Sequence, residues 1–193
     1  MSQKSIFITG AGSGIGRAVA QLFASRGWFI GIADVNQAGI DETAALLPAG
    51  QSSKHRLDVR DRAAWDEALA AFEAAAGGRV DVVFNNAGIG TGGMLEDLGQ
   101  DEVDTLIDIN FRGVVYGAQA ALPYLRKTAP GSVLVNTASA AALYGSGGLA
   151  LYSATKFAVR GLTEALDTEW REPGVKVCSL MPSFVDTAIL AGP

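Results

Sequence analysis

Thr9-Gly10-Ala11-Gly12-Ser13-Gly14-Ile15-Gly16 follows the apolar run Ser5-Ile6-Phe7-Ile8 and opens onto a helix-forming stretch. Glycine is needed where a chain turns sharply and brings its own N–H groups close to an anion; the positive end of the next helix then faces the same point. A G-x-G-x-x-G pattern read from Gly10 fails, because Ile15 stands where the third glycine would fall. The spacing is instead Gly10, Gly14 and Gly16. Taken alone, such a turn is equally a flexible connection. Set between a first strand and a helix, it predicts a cradle for the pyrophosphate of a dinucleotide.

Outward from this turn, short β-branched runs alternate with longer helix-period segments. Strands are expected at Ser5–Thr9, Phe29–Asp34, Lys54–Asp58, Val80–Asn85, Ser132–Thr137 and Val175–Met181. Their near-continuous apolar character suits parallel strands covered on both faces. Helices are expected at Gly14–Arg26, Gln37–Leu47, Asp61–Ala76, Gln100–Arg126 and Tyr152–Glu172. Asp61 caps the third of these, and Gly77-Gly78 ends it. Strand–helix alternation implies right-handed crossovers and an α/β, doubly wound, mostly parallel sheet of about six strands. No linker or repeat divides residues 1–193, so one dinucleotide-binding domain is expected.

The second strand ends at Asp34, 18 residues after Gly16. A carboxylate there accepts hydrogen bonds from ribose hydroxyls and repels a 2′-phosphate. Neither Ser13 nor Val35 supplies a cation for such a phosphate, so NAD is expected over NADP. The plainer alternative is a helix cap or solvated loop acid.

Farther along, Tyr152 and Lys156 stand four residues apart in Tyr152-Ser153-Ala154-Thr155-Lys156, on one helix face. A phenol is a poor base at neutral pH, and an adjacent ammonium favours the phenolate. Ser139, thirteen residues before Tyr152, lies just past the fifth strand, where its hydroxyl can meet a reacting oxygen. A tyrosine four before a lysine is, by itself, more often a packed ring beside a surface charge. Joint occurrence, in order, downstream of the glycine turn gives these residues their weight.

At this point the chain closely resembles the short-chain dehydrogenase/reductase family. Thr9 to Gly16 resembles its cofactor turn, Asp58-Val59 its adenine-contacting pair, and Asn85-Asn86-Ala87-Gly88 its Asn-Asn-Ala-Gly motif. Asn110, Ser139, Tyr152 and Lys156 resemble its catalytic tetrad. The resemblance spans essentially the whole chain. It implies that Tyr152 is the acid/base, that Ser139 orients substrate, and that Lys156 binds the nicotinamide ribose and favours the phenolate. It implies that Asn110 holds a water in a proton relay, a role its residue type alone does not assign. Cofactor contacts are then expected from Gly10, Ser13, Gly14, Ile15, Gly16, Asp34, Asp58, Val59, Asn86, Ala87, Gly88, Tyr152, Lys156, Pro182 and Thr187.

Two departures from the family pattern stand out. Met181-Pro182-Ser183-Phe184-Val185-Asp186-Thr187 carries Ser183 where the family usually has glycine. The family also continues further through a substrate-covering lid, another helix and a seventh, edge strand. Residues up to Pro193 do not include them: either these residues are part of a longer chain, the favoured reading, or the chain is a trimmed member with an open edge strand and no lid.

Two segments are expected to wall the substrate pocket, 140–149 and 91–95. Ser139, Tyr144, Leu149 and Tyr152 are its candidate contacts, with Leu143 and Met94 either joining them or simply packing. The walls suit a mostly apolar secondary alcohol or ketone. The expected reaction is hydride transfer between NAD(H) and that substrate. An NADPH-dependent carbonyl reductase and a non-catalytic dinucleotide-binding sensor are the alternatives.

The remaining composition narrows the field. The chain has 193 residues, 49% hydrophobic and 18% charged, with a net charge of −5 and no basic run, so no nucleic-acid or membrane partner is expected. The start runs almost directly into Ser5 with no basic and apolar leader, which reads as cytoplasmic. Cys178, the single cysteine, is expected as a small buried core residue. One histidine, His55, and one cysteine assemble no transition-metal cluster. Trp28, Trp65 and Trp170 read as packing residues. The two long helical segments could pair between copies, and the resemblance implies a homodimer or homotetramer.

Overall fold

A computed structural model describes residues 3–183 and 185. Six strands form one parallel sheet in the order β3-β2-β1-β4-β5-β6. They are β1 (Ser5–Thr9), β2 (Phe29–Asp34), β3 (Ser52–Arg56), β4 (Val82–Asn85), β5 (Val133–Thr137) and β6 (Lys176–Leu180). The helices are α1 (Gly14–Ala24), α2 (Gln37–Ala45), α3 (Arg62–Ala75), α4 (Gln100–Ile107), α5 (Gly113–Thr128) and α6 (Ala150–Glu169). This is the doubly wound Rossmann architecture that the alternation predicts. Strand order reverses between β1 and β4, and the crevice beyond their carboxyl ends is where such sheets bind ligands.

Alternation along β1 sends successive side chains to opposite layers. Ile6 and Ile8 join Ile30, Ile32, Val82 and Phe84 under α1 and Ile40 of α2. Phe7 points the other way, into Val83, Leu134, Trp65 and Phe72, with α3, α5 and α6 above. Gly31 of β2 is required in this second layer: a Cβ there would lie 2.6 Å from Phe7 and 2.7 Å from Phe72.

Several details differ from expectation. β3 begins two residues earlier than predicted, because Ser52 and Ser53 pair with Ile30 and Gly31 through backbone alone. His55 is therefore the fourth residue of that strand, packed against Phe7 and Phe72 with a 2.7 Å hydrogen bond to Ser53. The single long segment Gln100–Arg126 is divided by a π turn, Asp108–Arg112, that places an extra residue in the helix at Asn110. α6 starts at Ala150, so Tyr152 falls within its first turn.

Cys178 is a correction: it is exposed. Val177 enters the core beneath α6 with Leu166, so its neighbour Cys178 faces the other side of the sheet, in register with half-buried Val135. Trp65 and Trp170 are buried as expected, Trp65 donating its indole N–H to the Val59 carbonyl at 3.1 Å. No helix among the described residues is long and apolar enough to cross a membrane.

Candidate active site

The glycine turn is built by close approaches that a side chain would block. Gly10 and Gly14 have φ of 65° and 51°, a region that favours glycine. A Cβ on Gly16 would lie 2.2 Å from the Gly10 carbonyl oxygen, so the first turn of α1 rests directly on the strand exit. Ser13 is the N-cap of α1, and its side chain makes no cap bond, leaving the N–H groups of Gly14, Ile15 and Gly16 without a side-chain acceptor. Free donors at a helix N-terminus are what a phosphate needs.

Asp34, at the end of β2, reaches this turn. Its Oδ2 accepts the Gly12 N–H and its Oδ1 the Asn36 N–H, each at 2.9 Å. The carboxylate is thus held in place with lone pairs to spare. Asp58 and Val59 follow β3 and behave differently from one another. The Asp58 carboxylate is gripped by the Arg60 guanidinium and backbone N–H, which hold it below the usual carboxylate range. Val59 is buried, its side chain against Gly113.

Thr9 carries a role that the sequence did not signal. Its hydroxyl accepts the N–H groups of both Asn86 and Ala87 at 3.0 Å, and Asn86 Nδ2 donates to the Thr9 carbonyl. β1 and the segment after β4 are thereby fastened together beside the glycine turn.

Gly88 brings two predicted residues to one place. A Cβ on it would sit 3.2 Å from Asn110 Oδ1 and 3.5 Å from Lys156 Nζ. Asn110 is fully buried, accepting the Ile89 N–H and donating to the Ile89 carbonyl, both at 2.9 Å. Lys156 is buried at 4% exposure, and its Nζ donates to the Thr137 carbonyl at 3.0 Å. Burial pushes its ammonium down to about 8. The same Nζ lies 5.6 Å from the centre of the Tyr152 ring. Ser139, two residues past Thr137, caps a short 3₁₀ turn by accepting the Ala141 N–H.

Pro182 sits beside this group, its carbonyl accepting the Ala140 N–H at 2.9 Å. Thr187 lies outside the described residues. The two expected substrate walls meet: Gly93 N–H donates to the Gly148 carbonyl at 2.9 Å, and Leu149 approaches Gly92. Tyr144, Leu143, Met94 and Leu95 are all exposed along this rim.

Behind the site, a buried polar chain joins its supports. Asn85 Nδ2 donates to the Val114 carbonyl and to Asn136 Oδ1; Asn136 Nδ2 donates to Thr163, whose hydroxyl donates to the Val159 carbonyl. It links α5, β4, β5 and α6.

Known proteins resemble the chain over nearly its whole length. The family profile described as short chain dehydrogenase matches residues 4–192. The chain belongs to the short-chain dehydrogenase/reductase family. Meso-2,3-butanediol dehydrogenase of Serratia marcescens is 36% identical over 189 residues, covering 98% of this chain and 74% of that protein. The 3-ketoacyl-(acyl-carrier-protein) reductase of Brucella melitensis, solved with NADH, superposes with a TM-score of 0.93 at 31% identity, covering 98% of this chain and 79% of that one. A short-chain dehydrogenase/reductase of Burkholderia phymatum, solved with NAD, gives 0.93 at 36% identity, covering 99% and 69%.

As a short-chain dehydrogenase/reductase, the chain is a nucleotide-binding Rossmann oxidoreductase. Its residues fit a nicotinamide dinucleotide: the uncapped N–H groups of α1 suit a pyrophosphate, Asp34 suits ribose hydroxyls, and Gly88 leaves space beside Lys156 and Asn110.

Proposed function

We propose that this short-chain dehydrogenase/reductase is a single catalytic domain. In this reading it moves hydride between NAD(H) and a mostly apolar secondary alcohol or ketone. The observation that carries the reading is Lys156: a buried ammonium beside Tyr152, bonded only to a backbone carbonyl among the contacts described. Burying an unpaired charge is costly, and a group kept at that cost is commonly functional.

When bound, the nicotinamide supplies or accepts the hydride. Tyr152 gives its phenolic proton to the substrate oxygen on reduction and removes it on oxidation. Ser139 donates a hydrogen bond to the same oxygen, steadying the charge that develops there. Lys156 holds the nicotinamide ribose beside Tyr152, while Asn110, locked to Ile89, keeps a water in line behind Lys156. Gly10, Ser13, Gly14, Ile15 and Gly16 hold the pyrophosphate. Asp34 takes the adenosine ribose, which favours NAD over NADP. Asp58, Val59, Asn86, Ala87, Gly88, Pro182 and Thr187 complete the cofactor contacts. Leu149 and Tyr144, on the rim that meets Gly92 and Gly93, select the substrate.

The protein is proposed to act in the cytoplasm as a homodimer or homotetramer, on small molecules alone. Purified protein is assayed for reduced-nicotinamide absorbance against a panel of secondary alcohols and ketones, with NAD and NADP in parallel. Turnover with NAD that Tyr152→Phe abolishes, with cofactor binding kept, is the expected result. Near-parental turnover in Tyr152→Phe overturns the mechanism, and a preference for NADP overturns the cofactor assignment.

A further inference from the structure

Arg17 stands one residue past the glycine turn and on its outer side. Its Nε donates to the Thr43 hydroxyl at 2.9 Å, and its Nη2 donates to both the Gly12 carbonyl and, at 2.7 Å, to Glu42. The Thr43 hydroxyl donates in turn to the Ala11 carbonyl at 2.8 Å, and Thr43 is fully buried. Two consecutive turn carbonyls, Ala11 and Gly12, are therefore both occupied from outside by α1 and α2. Gly39 completes the contact: a Cβ there would lie 2.8 Å from the Gly12 oxygen, so the backbone of α2 lies against the turn.

Both peptide units that flank the Gly12 Cα are held, the one before it through its N–H by Asp34 and through the Ala11 C=O by Thr43, the one after it through the Gly12 C=O by Arg17. A glycine-rich turn has many accessible backbone states, and fixing its carbonyls outward fixes the neighbouring N–H groups inward. A cradle already in its binding geometry spares the ligand the cost of ordering it. Only a planar fork can reach Thr43 through one nitrogen and Gly12 with Glu42 through another, so lysine is no substitute.

We infer that Arg17 and Thr43 are positioning residues that preorganise the dinucleotide cradle without touching the cofactor. The inference rests on the proposed dinucleotide reading and extends it to residues on the far side of the turn. NADH and NADPH are titrated by nicotinamide fluorescence into the parent, Arg17→Met, Arg17→Lys, Thr43→Val and Thr43→Ser proteins. The titrations are run well below the thermal midpoint of each apoprotein, which is recorded alongside.

Charge-assisted hydrogen bonds set the scale, so Kd for the preferred cofactor should rise about tenfold or more in Arg17→Met, Arg17→Lys and Thr43→Val. Thr43→Ser, which keeps the hydroxyl, should restore parental affinity. A purely structural role would lower the thermal midpoint and leave Kd unmoved at the lower temperature, and that result overturns the inference. Equal loss in Thr43→Val and Thr43→Ser overturns it too. A parent that binds neither cofactor is a different failure, that of the dinucleotide reading itself.

Discussion

Replacing Lys156 by methionine should make the apoprotein more stable while it destroys the proposed active site. The lysine is 4% exposed, and among the described residues no carboxylate pairs with it. Its ammonium falls from 10.5 to about 8 through burial alone. Each pH unit of such a fall is worth about 1.4 kcal/mol, so at neutral pH the folded state carries a penalty of roughly 3 kcal/mol. Methionine fills similar volume without charge, but leaves the Thr137 carbonyl without this donor, a loss of about 1 kcal/mol. A net gain of about 2 kcal/mol remains, which for a chain of this size raises Tm by roughly 5 °C.

The pH dependence gives the reasoning its sharper test. Below pH 8 the lysine is charged in both states and the parent bears the whole penalty. Between about 8 and 10.5 the folded state loses the proton first, so the parent gains stability as pH rises. The advantage of Lys156→Met should therefore shrink by roughly 2 kcal/mol from pH 7 to pH 10. Urea unfolding followed by tryptophan fluorescence at both pH values measures it. A variant less stable than the parent at pH 7, or an advantage that does not change with pH, refutes the argument.

Two further outcomes follow from the core. His55, which burial pushes down to about 4 from 6.5, should cost the protein roughly 3 kcal/mol as pH falls from 6.5 to 4, because only the unfolded chain takes up the proton there. His55→Gln should flatten that part of the pH–stability curve, and an unaltered slope speaks against it. Gly31→Ala forces a methyl into the Phe7 and Phe72 rings and should lower stability by about 1–3 kcal/mol, read as a fall in the urea midpoint. An unchanged midpoint would mean that the rings shift freely.

The sequence read best where one physical demand dominates. β1 and β2 are covered on both faces, and their apolar runs match the observed bounds residue for residue. β3 pairs on one side only among the described strands, tolerates Ser52 and Ser53, and so hid its start from a hydrophobic criterion. Cys178 is exposed against expectation because an apolar run does not reveal that, among the described residues, only one of its faces is covered. The π turn at Asp108–Arg112 escaped because one extra residue leaves the amphipathic pattern nearly intact, and the contact it carries, Asn110 to Ile89, spans 21 positions. Gly10, Gly14 and Gly16 announced their turn, since backbone geometry demands that residue. Arg17, Thr43 and Thr9 did not, because they act on backbone carbonyls and N–H groups that any sequence supplies, and because Arg17 meets Glu42 and Thr43 only once α2 is packed beside the turn.

The chain of buried amides from Asn85 through Asn136 to Thr163 has a dynamic consequence. Each link sits where water cannot replace a lost partner, so separating α6 from the sheet would strand several polar groups at once. Such openings are rare and collective, and amides of β4, β5 and the middle of α6 should exchange with solvent deuterium as a single slow unit. The rim at Met94, Leu143 and Tyr144 is exposed and is tied instead by backbone hydrogen bonds such as Gly93 to Gly148, so its amides should exchange faster. On the proposed reading, the slow unit carries Lys156 and its neighbour Tyr152, so their spacing is set by the same amide network that holds α6 to the sheet.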